Sequence, residues 1–360
     1  MIDPSKPFDL EFLVEPGQNG LRLDRFIRDR VPTISRTRIQ FYNADGRISV
    51  NGAIRPDNWN VRTGDTVILQ CRVPEGGAEV ARTIPVDVVA EDEDYLAVNK
   101  QSGLVVHPVA LHRHDTLLNA LYYRYRDVLA PGGELSLANR IDKLTSGLVI
   151  LAKNARAKRG LQGQFEGREV EKTYLAIVTG RVENEAIAID RPIGPKKNRN
   201  NRCLMDIRED GEGKPSHTDV EVLERFTGHT LVRCRPKTGR QHQIRVHMAC
   251  IGHPLVADHL YGDGMGFDAV APDGRGVRLD RFALHAESIV FRHPTRDEIL
   301  RLTAPLAADM AAFLDALRDG WALKPYRLPA TAAMDEDQDD ERSPAALERY
   351  WHRRTPDDVL

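Results

Sequence analysis

Cysteine is scarce and unpatterned. The 360 residues hold four, Cys71, Cys203, Cys234 and Cys250, with no CxxC pair, which argues against a disulfide framework and a zinc knuckle and points to a reducing, cytoplasmic setting. Apolar residues make up 41% of the chain, yet no run of them approaches the roughly 20 that a membrane-spanning helix needs. The opening residues, MIDPSKPFDLEF, carry charges where a secretory signal has its apolar core. The sequence therefore reads as that of a cytoplasmic protein with no membrane partner. His242, His247 and His253 lie five and six residues apart, which gives neither a helical i,i+4 pair nor three positions on one strand face, so no metal is expected. No nucleotide motif is present either, and the expected cofactor is none. Ser146 sits in TSG, without the GxSxG setting of a hydrolase nucleophile, which leaves it a role in a turn.

Charge is present in quantity and unevenly placed. Residues 21–72 hold ten arginines against five aspartates, whereas residues 326–360 hold nine acids against five arginines. A basic front suits a polyanionic partner; the acidic tail reads as solvated and disordered. In the front, Leu23, Phe26 and Ile27 recur at helical spacing, and Ser35 offers an N-cap for a second short helix carrying Arg36 and Arg38. Short strands are expected at 48–50 and 66–69, with an Asn51-Gly52 hairpin turn after the first. This helix-plus-hairpin pattern resembles the alpha-L RNA-binding module of ribosomal and RNA-modifying proteins. That resemblance implies RNA contacts from Arg22, Arg25, Arg36 and Arg38. A second basic stretch, PKKNRNNR at 195–202, reads either as a phosphate-holding loop through Lys196, Lys197 and Arg199 or as a solvated hairpin tip.

The expected organisation is a tail over 1–18, the small basic domain over 19–73, a linker over 74–83, a mixed α+β domain over 84–325 and the acidic tail over 326–360. Within the larger domain, strands are expected at 86–90, 95–99 and 172–178, and helices at 115–123 and 154–165. The centre of that domain is NRIDKLTSGLVILAK at 139–153. Its apolar run, Leu148 to Leu151, reads as a buried strand, with Asp142 on the loop that feeds it between Arg140 and Lys143. Taken alone, Asp142 is either an acidic surface turn or a carboxylate kept ionised by guanidinium groups and aimed at a substrate.

Three blocks decide between these readings: NRIDKLTSG at 139–147, EKTYLAIVTG at 171–180 and RPKTGRQHQIRVHMACIGHPLVADHLYG at 235–262. In order and spacing they resemble the RluA-type RNA pseudouridine synthases, and GLVVHP, TLLNAL and FALHAESIVFRHP support the match. The resemblance implies an α+β fold with a mixed, mainly antiparallel catalytic sheet. It also implies an enzyme that cuts uridine from its sugar, turns the base and rejoins it through carbon 5, in rRNA or tRNA, as a monomer with no required protein partner. By the same resemblance, Asp142 is the catalytic carboxylate, Arg140 enters the stack that the target base leaves, Tyr174 packs on the flipped base, and Arg245 pairs with Asp142. His242 and Gln243, in the same block, are expected to bind substrate. Three positions depart from the family pattern: Asn139 replaces the usual His, Gln241 the commoner Thr or Ser, and Ala257 the commoner Gly. These bear on substrate placement. The competing reading is an RNA-binding or ribosome-assembly protein that kept the fold and lost turnover, with Asn139 as its mark.

Overall fold

A computed structural model of the chain describes residues 9–31, 39–40, 42–43, 46–70, 81–108, 112, 115–125, 135–196 and 204–327. The described residues of 1–85 and 107–132 form one compact unit, and those of 86–106 and 133–342 another. The expected second helix with Arg36 and Arg38, residues 74–80 of the linker, Lys197, Arg199 and the tail beyond 327 lie outside the described residues.

In the first unit β1 (Asp9–Leu13), β2 (Ile48–Val50), β3 (Ala53–Ile54) and β4 (Thr66–Gln70) form an antiparallel sheet in the order β1-β4-β2-β3. Asn51 and Gly52 both take left-handed backbone, at φ 53° and 77°, which is the two-residue turn that matches strand twist and joins β2 to β3. Helix α1 (Leu23–Arg30) buries Leu23, Phe26 and Ile27 against Ile48, Val50, Val67 and Leu69. Strand β1 corrects the expectation of a tail over 1–18. DLEFL alternates polar and apolar, and pairing with β4 from Asp9↔Gln70 to Leu13↔Thr66 places Leu10 and Phe12 against that core. Helix α2 (Leu117–Tyr125) also belongs to this unit.

The second unit is built on a ten-stranded sheet. It comprises β5 (Asp87–Glu91), β6 (Tyr95–Lys100), β7 (Ser136–Leu137), β8 (Ser146–Ala152), β9 (Glu171–Thr179), β10 (Ala186–Asp190), β13 (His217–Phe226), β14 (His229–Pro236), β17 (Leu284–Arg292) and β18 (Ile299–Thr303). Two small sheets add β11 (Ile193–Pro195) to β12 (Met205–Ile207), and β15 (Met265–Val270) to β16 (Gly276–Leu279) and β19 (Ala322–Arg327). Helices α3 (Ala155–Glu166), α4 (Gln243–Cys250) and α5 (Ala308–Arg318) pack on these sheets. The main order is β10-β13-β14-β9-β17-β8-β6-β5, antiparallel throughout except where β17 runs parallel to β8. The expected mixed, mainly antiparallel α+β architecture is thus present. All seven residues of β8 are buried, which is why Leu148 to Leu151 are apolar in succession instead of alternating. Asn154 caps α3 by accepting from the Ala157 amide.

The parallel pairing depends on Gly147. Its φ is 110°, and a Cβ there would lie 2.2 Å from the Ala286 carbonyl oxygen, a backbone atom that cannot rotate away. Gly163, exposed in the middle of α3, has nothing within 4 Å of its Cβ position. Gly147→Ala is expected to destabilise the protein by more than about 3 kcal/mol through overpacking and strain. Gly163→Ala should stabilise it by about 0.5–1 kcal/mol through helix propensity. Urea unfolding midpoints report both; a Gly147→Ala midpoint at the wild-type value would contradict this account of the pairing.

Candidate active site

Asp142 lies on the loop between β7 and β8, closed by a hydrogen bond from the Thr145 amide to the Asp142 carbonyl at 3.0 Å. The loop is pinned from outside. Gly103 N–H and the Lys100 ammonium donate to the Lys143 carbonyl at 3.0 and 2.8 Å, and Ser102 Oγ and Arg281 Nη1 donate to the Leu144 carbonyl at 2.8 and 3.0 Å. Lys100 is fully buried and also donates to the carbonyls of Gln101 and Leu104. Burial, reinforced by the Arg281 charge, lowers its pKa to about 7. Arg281 is anchored by a bidentate pair with Asp309 on α5 at 2.6 and 2.8 Å. Ser146 is buried against Arg281 Nη2 and His285; His285 Nε2 donates to the Ala304 carbonyl, so its Nδ1 accepts from the serine hydroxyl at 3.0 Å. That hydroxyl holds the end of the loop, as the sequence suggested.

Asn139 accepts from the Ile150 amide at 2.7 Å and donates to the Leu148 carbonyl at 3.3 Å. Its amide ties the loop to β8. The next residue, Arg140, is exposed, and Asp142, two residues beyond it, is half-buried.

Opposite Asp142 stands Arg245 on α4, which is completely buried. Its Nη1 lies 3.7 Å from Asp142 Oδ2, close enough for charge attraction and too long for a hydrogen bond. The expected pairing of Arg245 with Asp142 is therefore the weaker of two. The guanidinium binds Asp258 with Nε at 2.8 Å and Nη2 at 2.9 Å, and it stacks 3.9 Å above the Phe282 ring. Asp258, also fully buried, accepts from the amides of Leu260 and Tyr261 as well. Ala257, just before it, has φ 60°, the left-handed backbone that glycine adopts most easily.

Tyr174 on β9 packs against the core that includes Phe282 and Ile244. Burial first, and then the Asp142 charge, push its phenol well above the ordinary range, so the ring is neutral and close to the carboxylate. The structure thus brings together Asp142, Tyr174 and Arg245. His242 and Gln243 are engaged within the protein. His242 Nδ1 lies 2.7 Å from the Tyr261 hydroxyl. Gln243 accepts from Thr238 Oγ1 and the Arg240 amide and donates to the His217 carbonyl and Thr218 Oγ1. Gln243 corrects the expectation of a substrate contact: its hydrogen-bonding capacity closes the loop that carries α4. In the first unit, Arg22 binds Asp24 bidentately and Arg25 lies 3.7 Å from Asp29. Lys196 is 3.8 Å from Asp206.

Sequence reasoning passed over Asp258, Lys100 and Arg281. An acid in the apolar stretch PLVAD and a lysine ending the apolar strand YLAVNK were the available signals, since charges in such runs are buried with partners. Removing Asp258 leaves a buried guanidinium with its main counter-charge gone. Asp258→Ala is expected to cost about 3–5 kcal/mol of stability. Denaturant unfolding measures this, and a loss below about 1 kcal/mol would show that the pair does not hold the site.

Comparison with known proteins follows the same lines. A family model described as RNA pseudouridylate synthase matches residues 94–250. The uncharacterized RNA pseudouridine synthase YlyB of Bacillus subtilis is 37% identical over 311 residues, 86% of this chain and 98% of the relative. Ribosomal large subunit pseudouridine synthase D of Nitrosomonas europaea is 37% identical over 315 residues, 86% of this chain and 88% of the relative. Among solved structures, human RNA Pseudouridylate Synthase Domain Containing 1 aligns with TM-score 0.50 and 28% identity over 74% of this chain and 97% of its own. Human RNA Pseudouridylate Synthase Domain Containing 4, at TM-score 0.52 and 24% identity over 69% of this chain and 97% of its own, shares the fold. With the sheet, the Asp142 loop and the buried Arg245 in place, the chain belongs to the RNA pseudouridine synthase family.

Proposed function

We propose that this isomerase acts on uridines of structured ribosomal RNA, with Asp142 as its catalytic carboxylate. The observation that carries this reading is a half-buried carboxylate that faces a buried guanidinium at 3.7 Å and whose charge, after burial, keeps the Tyr174 phenol neutral. The relatives named ribosomal large subunit pseudouridine synthase D favour rRNA over tRNA as the substrate.

The chemistry needs one ionised carboxylate. The departing base stays in the pocket and is the group rejoined, so no water has to be delivered as a glycosidase requires. Asp142 either attacks the anomeric carbon or removes a neighbouring sugar proton, and both routes need its anion, which Arg245 favours. The uridine must first leave its stack, at a cost of a few kcal/mol. Arg140, exposed two residues before Asp142, is suited to fill the vacated position, and Tyr174 to hold the extruded base by its ring face. The bond rearrangement is redox-neutral and adds no group, so it runs without a cofactor. Asn139 is bonded to the backbone of β8, and in this reading it positions the loop.

We assign the first unit, an alpha-L-like module, to RNA binding. We place the protein in the cytoplasm as a monomer acting without a protein partner; the free thiols Cys234 and Cys250 suit a reducing compartment.

Asp142→Asn is expected to abolish pseudouridine formation while RNA affinity stays within a few fold. The measurement is site-by-site pseudouridine mapping of large-subunit rRNA transcripts treated with each protein. Turnover by the Asn variant, with mass spectrometry showing no deamidation to Asp, would overturn the assignment.

A further inference from the structure

Strand β9 carries a cation with no carboxylate partner among the described residues. Lys172 and Tyr174 are two residues apart on this strand, so their side chains leave the sheet on the same face. The Lys172 ammonium donates to the Thr238 carbonyl at 3.1 Å, and no carboxylate among the described residues lies within ion-pair distance of it. Neighbouring cations on these strands differ: Arg233 and Arg235 both pair with Glu221, and Lys237 pairs with Asp219. Burial alone lowers the Lys172 pKa to about 8, and no nearby charge opposes the shift. Beyond Thr238 the loop continues with Gly239. A Cβ there would stand 3.8 Å from the ammonium, so this loop lies in van der Waals reach of it. A partly desolvated ammonium bonded to one carbonyl keeps donors for an anion supplied from outside.

We infer that Lys172 binds a phosphodiester of the substrate RNA beside the nucleotide held at Tyr174, forming a phosphate subsite on the active-site face of β9. This rests on the reading of Asp142 and Tyr174 as the site of uridine isomerisation. The phosphate supplies the negative charge that the protein withholds, and its approach raises the ammonium's proton affinity again. Bound RNA therefore takes up a proton at Lys172 in solutions above about pH 8. Lysine suits a single phosphate as a compact point charge.

The test uses the full chain and an rRNA fragment that the wild-type protein converts. RNA affinity by fluorescence anisotropy, across salt and from pH 7 to 9, is compared for wild type, Lys172→Met and Lys172→Arg, with single-turnover rates at saturating protein. Lys172→Met is expected to weaken binding about 5- to 20-fold and to lower the log-log salt slope by about 0.7–0.9, the effect of one phosphate contact. Its saturating rate should stay within about threefold. Wild-type affinity should weaken by up to about tenfold between pH 8 and 9 as the ammonium titrates, whereas Lys172→Arg should bind well and show no such decline. A purely structural role, in which methionine loosens the Thr238 loop, would lower the rate and leave the salt slope unchanged; that result overturns the subsite. An unchanged Lys172→Met on a converted fragment overturns it too and leaves the Asp142 reading standing. If no rRNA fragment is converted, that reading falls and the subsite with it.

Discussion

The Arg245 guanidinium is withdrawn from water completely, and a charge so placed is tolerated only with a matched counter-charge and full hydrogen bonding. Asp258 provides both through two short bonds, and the Phe282 ring covers one face of the cation. Asp142 Oδ2 lies 3.7 Å from the other terminal nitrogen, Nη1. The Asp142 carboxylate therefore meets a positive charge whose position is set by the core and not by solvent. A surface arginine in the same place would be screened and mobile. Helix α4 and the Asp258 loop are joined through this side chain and through the His242–Tyr261 contact, which makes the site and the fold stand together.

The carboxylate's own loop is held just as firmly. The carbonyls of Lys143 and Leu144 each receive two donors, and two of these four come from the buried cations Lys100 and Arg281. Positioning a reactive group within a fraction of an ångström is what catalysis by orientation requires. The parallel β8–β17 register, made possible by Gly147, brings His285 against Ser146 and so fixes the loop's far end.

Much of this was legible in the sequence, and the limits have physical causes. The buried strand after Asp142, the helix from Asn154 and the Asn51-Gly52 turn were readable because periodicity and turn chemistry are local. Asp142, Tyr174 and Arg245 were readable from motif blocks, and the structure brings them together. Asp258 was not recognised as the dominant partner of Arg245, because pairing across 13 residues depends on how α4 and the following loop pack. Gln243 looked like a substrate ligand, yet its amide is turned inward by Thr238, Arg240, His217 and Thr218, a set brought together only by folding. Strand β1 escaped notice because five alternating residues next to charged ones carry little signal until β4 pairs with them.

The claim that one buried guanidinium links stability to chemistry is tested most directly by Arg245→Lys, which keeps the charge and loses the two-point grip on Asp258. Single-turnover pseudouridine formation and thermal melting are measured on the same preparation. The account predicts a rate at least about 100-fold lower, together with a melting temperature lowered by several degrees and RNA binding retained. A wild-type rate in a protein that merely melts earlier would contradict it, because Arg245 would then be a structural residue with no part in placing Asp142.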